Sequence, residues 1–392
     1  MDFDFTTHEQ AFRQELRDWL KENIPRHLPD GPQRDDPEKR WERGVRWHQA
    51  LYQAGYVGLH WPKEYGGRGA SLIEQYIFEE EINRVQVPGS INPVGILVTG
   101  PTIMHWGSDE QKNQHLKPIL SGDEIWCQGY SEPGAGSDVA ALATTADDHG
   151  DYFLVNGQKV WTTLAHRSQY CMLLCRTDRS APKHKGLSYL LVDMRTPGIT
   201  VRPLVQMTGN HEFNEIFFED VTVPKRNLLG PQNQGWQVGM TTLMFERVSI
   251  GSLLQIEREM NSLLDLVRKT RKHGQPAGDD RYVRQKVAQF QIESQAIRYS
   301  SLRQLTRRLR GQPPGPEGST IKLFRSELAL RMTGFANELL DAHSQLERGS
   351  PFAVEHGRWL FGYFTARSNT IAGGTSEVQR NIIGERVLKL PK

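Results

Sequence analysis

The segment Gln128–Asp138 reads Gln-Gly-Tyr-Ser-Glu-Pro-Gly-Ala-Gly-Ser-Asp and follows an apolar run over 125–127. Its three glycines and its proline exclude a stable helix and predict a bent loop. Such a loop presents backbone N–H groups with little side-chain cover, and Ser131 and Ser137 add hydroxyl donors. The segment therefore predicts a surface for an anionic or acceptor-rich ligand. The alternative is a glycine-rich turn between two strands, and the segment contains no Gly-x-Gly-x-x-Gly dinucleotide-binding motif.

Around this segment, the 392-residue chain is long enough for two or three domains. Its net charge of +2 argues against a nucleic acid or another polyanion as partner. The sequence contains no apolar run of the roughly 20 residues that a membrane span needs. The acidic start Met1–Asp4 is not that of a signal peptide, so we expect a cytoplasmic protein without a membrane anchor. The three cysteines have no zinc-ligand spacing, which predicts no metal site.

The hydrophobic periodicity changes twice along the chain. Helical patterns cover 5–24, 71–85, 93–105 and 109–120. Short strand patterns follow at 170–176, 187–193, 200–203 and 214–223, and Asn156-Gly157 is a strong hairpin signal. Helical patterns return over 235–272, 279–310, 318–346 and 351–367, and Thr375 is a candidate N-cap for a final helix.

These patterns predict an α+β protein with three domains. We expect a helical N-terminal domain over 1–121, a central antiparallel β-barrel or sandwich over 122–232, and a C-terminal four-helix bundle over 233–392.

Glu246 is a candidate general base because of its place in the predicted helix that begins at 235. No Lys or Arg lies three or four positions away, and the adjacent Arg247 points about 100° round the helix. A carboxylate on an apolar-leaning face without a local partner has a raised pKa, which suits a group that accepts a proton near neutral pH. The alternative is an ordinary surface acid on a half-solvated face.

The run Tyr130–Asp138 resembles the first signature of the acyl-CoA dehydrogenase family, whose members are flavoenzymes. The strand pattern at 213–224 and the order helical, β, helical resemble the same family over nearly the whole chain. The resemblance implies FAD as cofactor and α,β-dehydrogenation of an acyl-CoA thioester to the trans-2-enoyl-CoA.

Most members of this family carry their catalytic base in a Tyr-Glu-Gly-Thr motif near the C-terminus. The corresponding run here is Ala-Gly-Gly-Thr over 372–375, so the acid is missing at Gly373. A minority, of the isovaleryl and long-chain types, place the base on a helix directly before an arginine, as in Phe245-Glu246-Arg247. The resemblance therefore favours Glu246 as the base, with Glu377 as the competing candidate.

The resemblance also implies the binding residues. Trp161-Thr162-Thr163 resembles the family's segment along the flavin ring, and Thr375 and Glu377 lie in its Gly-Thr-Ser-x-x-Gln run. The cofactor contacts implied are Gln128, Tyr130, Ser131, Gly136, Ser137, Trp161, Thr162, Thr163, Arg271, Thr375 and Glu377. The substrate contacts implied are Ser137, Arg247, Gly373 and Gly374.

Two departures from the family concern the nucleotide end of the cofactor. The family's Gly-Gly-x-Gly turn is replaced by Leu-Leu-Asp-Ala-His over 339–343. The Arg-x-x-Phe-Gly segment, which reaches across a subunit interface, is represented only by Arg271 out of register. These departures imply either that the cross-subunit part of the nucleotide site is built differently here or that a different, homologous chain supplies it. We expect an oligomer, a dimer or tetramer, of identical or of two homologous subunits.

From these features we expect an acyl-CoA dehydrogenase with an electron-transfer flavoprotein as acceptor. Gly373 in place of a larger acid leaves room for a bulky, branched or steroid-type acyl group. The alternatives are a non-catalytic or half-site subunit of a heteromeric enzyme and an acyl-CoA oxidase.

Overall fold

The computed structural model describes residues 5–28, 36–85, 87–247, 251–312 and 315–391, and omits the side chains at 246, 247 and 251–254. It forms two compact units. One comprises residues 1–17, 72–86 and 250–392, and the other comprises 18–71 and 87–249. The predicted three-domain boundaries at 121 and 232 stay a prediction.

The first third of the chain is helical, as predicted. Its α-helices are α1 (Thr7–His27), α2 (Pro37–Gln53), α3 (Leu72–Arg84), α4 (Gly100–Trp106) and α5 (Asp109–Ser121). The Asp36 side chain accepts from the amides of Glu38 and Lys39 and caps α2. Ser108 and Gln111 form a reciprocal capping box at the start of α5. These caps explain why α2 begins after Asp36 and α5 begins after Ser108.

A seven-stranded sheet follows, in the order β1-β4-β2-β3-β7-β6 with β5 paired to β4. Its strands are β1 (Trp126–Gly129), β2 (Thr145–Asp148), β3 (Tyr152–Thr163), β4 (Tyr170–Arg176), β5 (Leu187–Asp193), β6 (Ile199–Leu204) and β7 (Phe213–Pro224). The four predicted strand ranges from 170 to 223 are confirmed to within one residue at each end. The sheet is not wholly antiparallel, because β4 runs parallel to β1 and, at Thr145, to β2.

The predicted hairpin at Asn156-Gly157 is wrong. Both residues lie inside the continuous strand β3, where the register shifts between Val155 and Gly157. The side-chain nitrogen of Asn156 donates to Asp220 Oδ1 at 3.0 Å, and its side-chain oxygen accepts from the backbone amide of Asp220 at 2.9 Å. These two bonds stabilise a bulge against β7. The turn that reverses the chain lies at 149–151 instead, where Gly150 has φ +87°.

The rest of the chain returns to helices. These are α6 (Gly235–Arg247), α7 (Gly251–Lys269), α8 (Arg281–Leu309), α9 (Gly318–Leu340), α10 (Arg358–Asn369) and α11 (Ser376–Ile382). A short hairpin pairs β8 (Arg271–Lys272) with β9 (Gln275–Pro276). Apolar side chains of α7, α8, α9 and α10 share one buried core.

Several helix ends differ from the predicted ones. The helix predicted over 235–272 corresponds to α6 and α7, and residues 248–250 lie outside the described residues. The helix predicted to reach 346 ends at Leu340, because Asp341 has φ +50°. The helix predicted from 351 begins at Arg358, after left-handed backbone at Glu355, His356 and Gly357. None of the helices in the described part of the chain is long and apolar enough to cross a membrane.

Candidate active site

The loop over 130–138 is held by its own glutamate. Glu132 and Ala135 exchange both backbone hydrogen bonds at 3.0 Å, which closes a tight turn. The Glu132 carboxylate is buried and accepts from the amide of Ala143 at 2.6 Å and from that of Thr144 at 2.9 Å. Glu132, the third residue of the signature, is therefore a structural anchor that ties the loop to the chain that follows it.

Lys159 of β3 lies beneath this loop, and its side chain is completely buried. Its ammonium group donates to Glu132 Oε1 at 2.9 Å and to the Tyr130 carbonyl at 3.0 Å. Burial opposes ionisation of both groups, but for Glu132 the nearby Lys159 charge and the amide donors prevail and lower its pKa. The pKa of Lys159 is lowered by its burial, against the attraction of Glu132. This buried ion pair fixes the loop to β3.

The end of β3 lies against the same loop. The Val160 amide donates to the Ser131 carbonyl at 2.9 Å, so Trp161 comes directly after a residue bonded to the loop. Trp161 has φ +61° and remains 60% exposed, and Leu164 also has a left-handed backbone at φ +57°. A large exposed aromatic ring beside the loop offers a flat apolar surface, which is what a ring-shaped cofactor requires.

Two buried polar atoms of this region have no hydrogen-bond partner among the described residues. They are Gln128 Nε2 at the end of β1 and Thr162 Oγ1 at the end of β3. A buried polar group without a partner is costly, so each has the character of a group that binds a ligand. Asn214 fixes the strand at this point, because its side-chain amide donates to the Thr162 carbonyl at 3.0 Å. These donors and the tryptophan fit the polar edge and the face of a flavin.

The remaining predicted contacts on the loop are accessible. Gly136 and Ser137 are exposed, while Ser131 and Thr163 are half-buried. A Cβ added at Gly136 would meet nothing within 4 Å in this chain, so glycine is not required there by its own fold. Open space above a glycine allows close approach of a ligand to the backbone.

Helix α6 carries the predicted base and packs against the loop with its small residues. A Cβ added at Gly239 would lie 3.4 Å from Tyr130 Oη, which is an ordinary van der Waals distance, so the phenol lies against the helix at this residue. Gly235, Val238, Gly239 and Thr242 are buried. Position 246 lies in the same helix, one turn after Thr242. The side chains of Glu246 and Arg247 lie outside the described residues.

The other unit contains the glycine turn that replaces the family's acid. Gly373 and Gly374 have φ of +65° and +94°, and they connect α10 to α11. Lys322 of α9 donates to the Gly374 carbonyl at 2.6 Å. The buried Gln379 side chain donates to the carbonyls of Gly373 and Gly374 at 3.1 and 3.2 Å. The turn is therefore fixed through both of its carbonyl oxygens.

The start of α11 has the N-cap that the sequence predicts. Thr375 is the N-cap of α11 and accepts from the Val378 amide at 3.2 Å, which confirms the predicted cap. Glu377 is exposed and lies 3.4 Å from Arg380. Its pKa is lowered, first by its own backbone amide and then by the Thr375 hydroxyl and Arg380. A lowered pKa suits a contact residue better than a general base at neutral pH.

Arg271, predicted to reach the cofactor's pyrophosphate, lies in the β8–β9 hairpin. Its side chain is exposed and donates to the Gly274 carbonyl at 3.2 Å. This hydrogen bond lies within the hairpin, and the role of Arg271 at the cofactor stays a prediction.

Three domain models of one protein family match the sequence. They are the N-terminal, middle and C-terminal domains of acyl-CoA dehydrogenase, at residues 6–123, 127–221 and 233–388. Acyl-CoA dehydrogenase IpdE1 of Mycobacterium tuberculosis is 38% identical over 98% of both chains. The chain belongs to the acyl-CoA dehydrogenase family. It is an oxidoreductase that acts on acyl-CoA, and members of its family are FAD flavoproteins.

Solved structures of acyl-CoA dehydrogenases share the fold. The Tcur3481-Tcur3483 steroid ACAD superposes with a TM-score of 0.86 at 30% identity, over 100% of both chains. The ChsE4-ChsE5 complex from Mycobacterium tuberculosis superposes with a TM-score of 0.84 at 32% identity, also over 100% of both chains. The family and the α+β fold class predicted from the sequence are confirmed.

Three residues that fix these segments were not predicted from the sequence. Glu132 and Lys159 hold the 130–138 loop on β3, and Lys322 holds the turn at Gly373 and Gly374. The available signal for Lys159 is its alternation with Phe153 and Val155, because a lysine on the buried side of a strand needs a buried partner. The contact of Lys322 joins segments far apart in sequence, and no local pattern predicts it.

Proposed function

We propose that this chain catalyses the FAD-dependent α,β-dehydrogenation of an acyl-CoA thioester to the trans-2-enoyl-CoA. The observation that carries this proposal is the junction of the 130–138 loop with the end of β3. There the Val160 amide bonds Ser131, Trp161 is exposed, and Gln128 Nε2 and Thr162 Oγ1 have no partner within the described ranges.

Each part of the junction has a role in this proposal. Bound FAD would supply the acceptor for the β-hydrogen of the substrate, which leaves as a hydride. Gln128, Thr162 and Thr163 would hold the polar edge of the flavin through their donor groups, and Trp161 would offer its ring as an apolar surface. Ser131, Gly136 and Ser137 present hydroxyl and backbone donors to ring and thioester, so that the two reactants are held together. Thr375, Glu377 and Arg271 serve the nucleotide end.

Glu246 acts as the base and takes the α-proton from the thioester. Two features of the sequence support this assignment. The position at which most members of the family carry their acid is Gly373, which cannot accept a proton, and Glu246 stands on a helix directly before an arginine, as in the minority of members. A carboxylate removed from water has a raised pKa and accepts a proton near neutral pH. Arg247 supports the pantetheine or the adjacent wall of the substrate site.

We propose a bulky acyl group, branched or of the steroid type, as substrate. Gly373 lacks a side chain and Ala372 is small and exposed, which supports room for a large acyl group at the turn. A structural relative is described as a steroid ACAD. Activity confined to short straight-chain thioesters such as butyryl-CoA would contradict this substrate class.

An electron-transfer flavoprotein is the proposed acceptor, and a dimer or tetramer is the proposed assembly. Two structural relatives are named as pairs of proteins, which supports a partner of homologous fold.

The test is an anaerobic titration of the purified protein with a panel of acyl-CoAs, followed at the flavin absorbance bands. We expect bound FAD that is bleached by a bulky thioester. Glu246→Gln should retain FAD and lose the bleaching, whereas the control Glu377→Gln should still be bleached. Bleaching of Glu246→Gln at the normal rate would show that the base lies elsewhere.

The same preparation separates the alternative functions. A colourless protein that gains flavin and activity only with a homologous chain would be a half-site subunit. Release of hydrogen peroxide at each turnover in air would identify an oxidase.

A further inference from the structure

The end of β3 departs from regular pairing just where it reaches the signature loop. Between Lys159 and Thr162 the strand β3 advances three residues, while β7 advances two, from Ile216 to Asn214. The extra residue on β3 makes a bulge, and Trp161 lies in it with φ +61°. Because a bulge disrupts the ladder of backbone bonds, the strand end beyond it needs another means of attachment.

The Asn214 side chain of β7 provides that attachment and is 0% exposed. Its amide nitrogen donates to the Thr162 carbonyl at 3.0 Å and to the Glu212 carbonyl at 3.0 Å. The Glu212 carbonyl also accepts from the Leu164 amide at 2.7 Å. One buried amide group therefore fastens the strand end to the residues that lead into β7.

His166 satisfies the remaining atom of this amide. Both donor positions of Asn214 are used, and its side-chain oxygen lies 3.1 Å from His166 Nδ1. That oxygen can only accept, so Nδ1 carries the hydrogen. Burial lowers the pKa of His166, so the ring is neutral at neutral pH and has a single N–H. The contact with Asn214 assigns that N–H to Nδ1.

We propose that His166 and Asn214 are positioning residues that fix the Thr162–Thr163 peptide group for the flavin edge. In a trans peptide the carbonyl oxygen and the following N–H point in opposite directions. Holding the Thr162 carbonyl on Asn214 therefore fixes the direction of the Thr163 N–H. This assignment rests on the proposed function, because that function gives the donors of Thr162 and Thr163 to the flavin.

The backbone strain at this strand end explains why it has to be held. Trp161 and Leu164 both have left-handed backbone, which residues with side chains adopt only when their surroundings enforce it. The bonds of Asn214 lie between these two residues, at the Thr162 carbonyl. Without them we expect the strand end to relax and its donors to lose their alignment.

The test compares four variants of the purified flavoprotein. His166→Phe keeps a ring and removes the donor, and Asn214→Leu removes the amide in a similar volume. His166→Asn returns an amide N–H near the position of Nδ1 and serves as the rescue. His211→Phe is the matched control, because its ring lies 5.8 Å from that of His166 and the three described bonds of Asn214 do not involve it.

The first measured quantities are the dissociation constant of FAD and the visible absorbance bands of the bound flavin. We expect roughly tenfold weaker binding and shifted bands in His166→Phe and Asn214→Leu, since one hydrogen bond is worth about that factor. The control and the rescue should remain within about threefold of the parent. Binding within twofold of the parent in both test variants, or a His166→Asn protein as impaired as His166→Phe, would overturn the proposal.

Hydrogen exchange of the backbone amides over 160–166 in the flavin-free protein is a second readout that needs no cofactor. Exchange should be faster in His166→Phe and Asn214→Leu and unchanged in His211→Phe. If the parent protein binds no FAD, the proposed function fails, and exchange still decides whether the two side chains hold the strand end. Unchanged exchange in His166→Phe and Asn214→Leu would refute that role.

Discussion

Replacing Lys159 with methionine tests the buried ion pair beneath the signature loop. Methionine matches the length of the lysine stem without its charge, so the change removes the donor to Glu132 Oε1 and to the Tyr130 carbonyl. Glu132 then retains only the amide donors of Ala143 and Thr144 and is left as an uncompensated buried carboxylate.

The expected loss of stability follows from the burial of both partners, because the side chains of Lys159 and Glu132 are 0% and 8% exposed. Removing one partner of a buried pair costs about 3–5 kcal/mol of unfolding free energy. At about 2–4 °C of midpoint per kcal/mol for a unit of this size, thermal unfolding should shift down by roughly 6–20 °C. The double variant Glu132→Gln/Lys159→Met should recover part of this, because it removes the buried charge. The recovery is partial, since the single amide oxygen replaces only one of the two carboxylate oxygens that accept from Ala143 and Thr144.

The loss of stability in Lys159→Met should also depend on pH, and the protonation of Glu132 decides whether the loss grows or shrinks as the pH rises. In the parent its pKa is lowered, so the pair stabilises the fold above the ordinary glutamate value near 4.3 and is lost as the pH falls through the lower folded value. In Lys159→Met the unpaired carboxyl prefers its proton, and the folded state weakens as the pH rises. The two proteins should therefore differ most near pH 7 and least near pH 4.

The assay is thermal unfolding followed by circular dichroism at both pH values, with flavin content measured in parallel. We also expect weaker flavin retention, because the Tyr130 carbonyl loses its charged donor. A Lys159→Met protein that unfolds within 2 °C of the parent at pH 7 would refute this account of the ion pair, and so would a difference that grows toward acid pH.

Three further predictions concern single side chains. Thr162→Val should raise the stability of the flavin-free protein, since it removes a buried hydroxyl that has no partner among the described residues, but it should weaken FAD binding about tenfold in a fluorescence titration. Lys322→Met should retain FAD and raise the KM for acyl-CoA, because the Gly374 carbonyl loses its 2.6 Å donor, and an unchanged KM would contradict that role. Burial raises the pKa of Glu79 to about 7, so the folded state weakens as the pH rises from 4.5 to 7. Glu79→Gln should therefore raise the thermal unfolding midpoint at pH 8 and leave it unchanged near pH 4. A larger increase of the midpoint at pH 4 than at pH 8 would contradict this.

The sequence predicted the elements whose signals are local. Strands β4 and β5 were predicted with their observed bounds because unbroken apolar runs end at polar residues there. The Thr375 cap followed from its position before a helical pattern. In both cases the residues that determine the structure are neighbours in the chain.

The errors and omissions share a different cause. Asn156-Gly157 satisfies the local rule for a hairpin, but its partner is Asp220, and the contact with β7 stabilises a continuous strand instead. The Glu132–Lys159 pair and the Tyr130–Tyr189 contact likewise join residues on different elements. Such pairings depend on how strands and helices are arranged in space, which hydrophobic periodicity does not specify.

The left-handed backbone of Trp161 and Leu164 has a consequence for the protein without its ligand. Such a conformation costs of order 1–3 kcal/mol at each residue that carries a side chain, so the strand between them persists only while its surroundings enforce it. Asn214 is part of that enforcement, through its bond to the Thr162 carbonyl. When the tip of β3 relaxes, the first side chain to change its environment is an indole, and its emission should report the loss of order before the rest of the sheet unfolds.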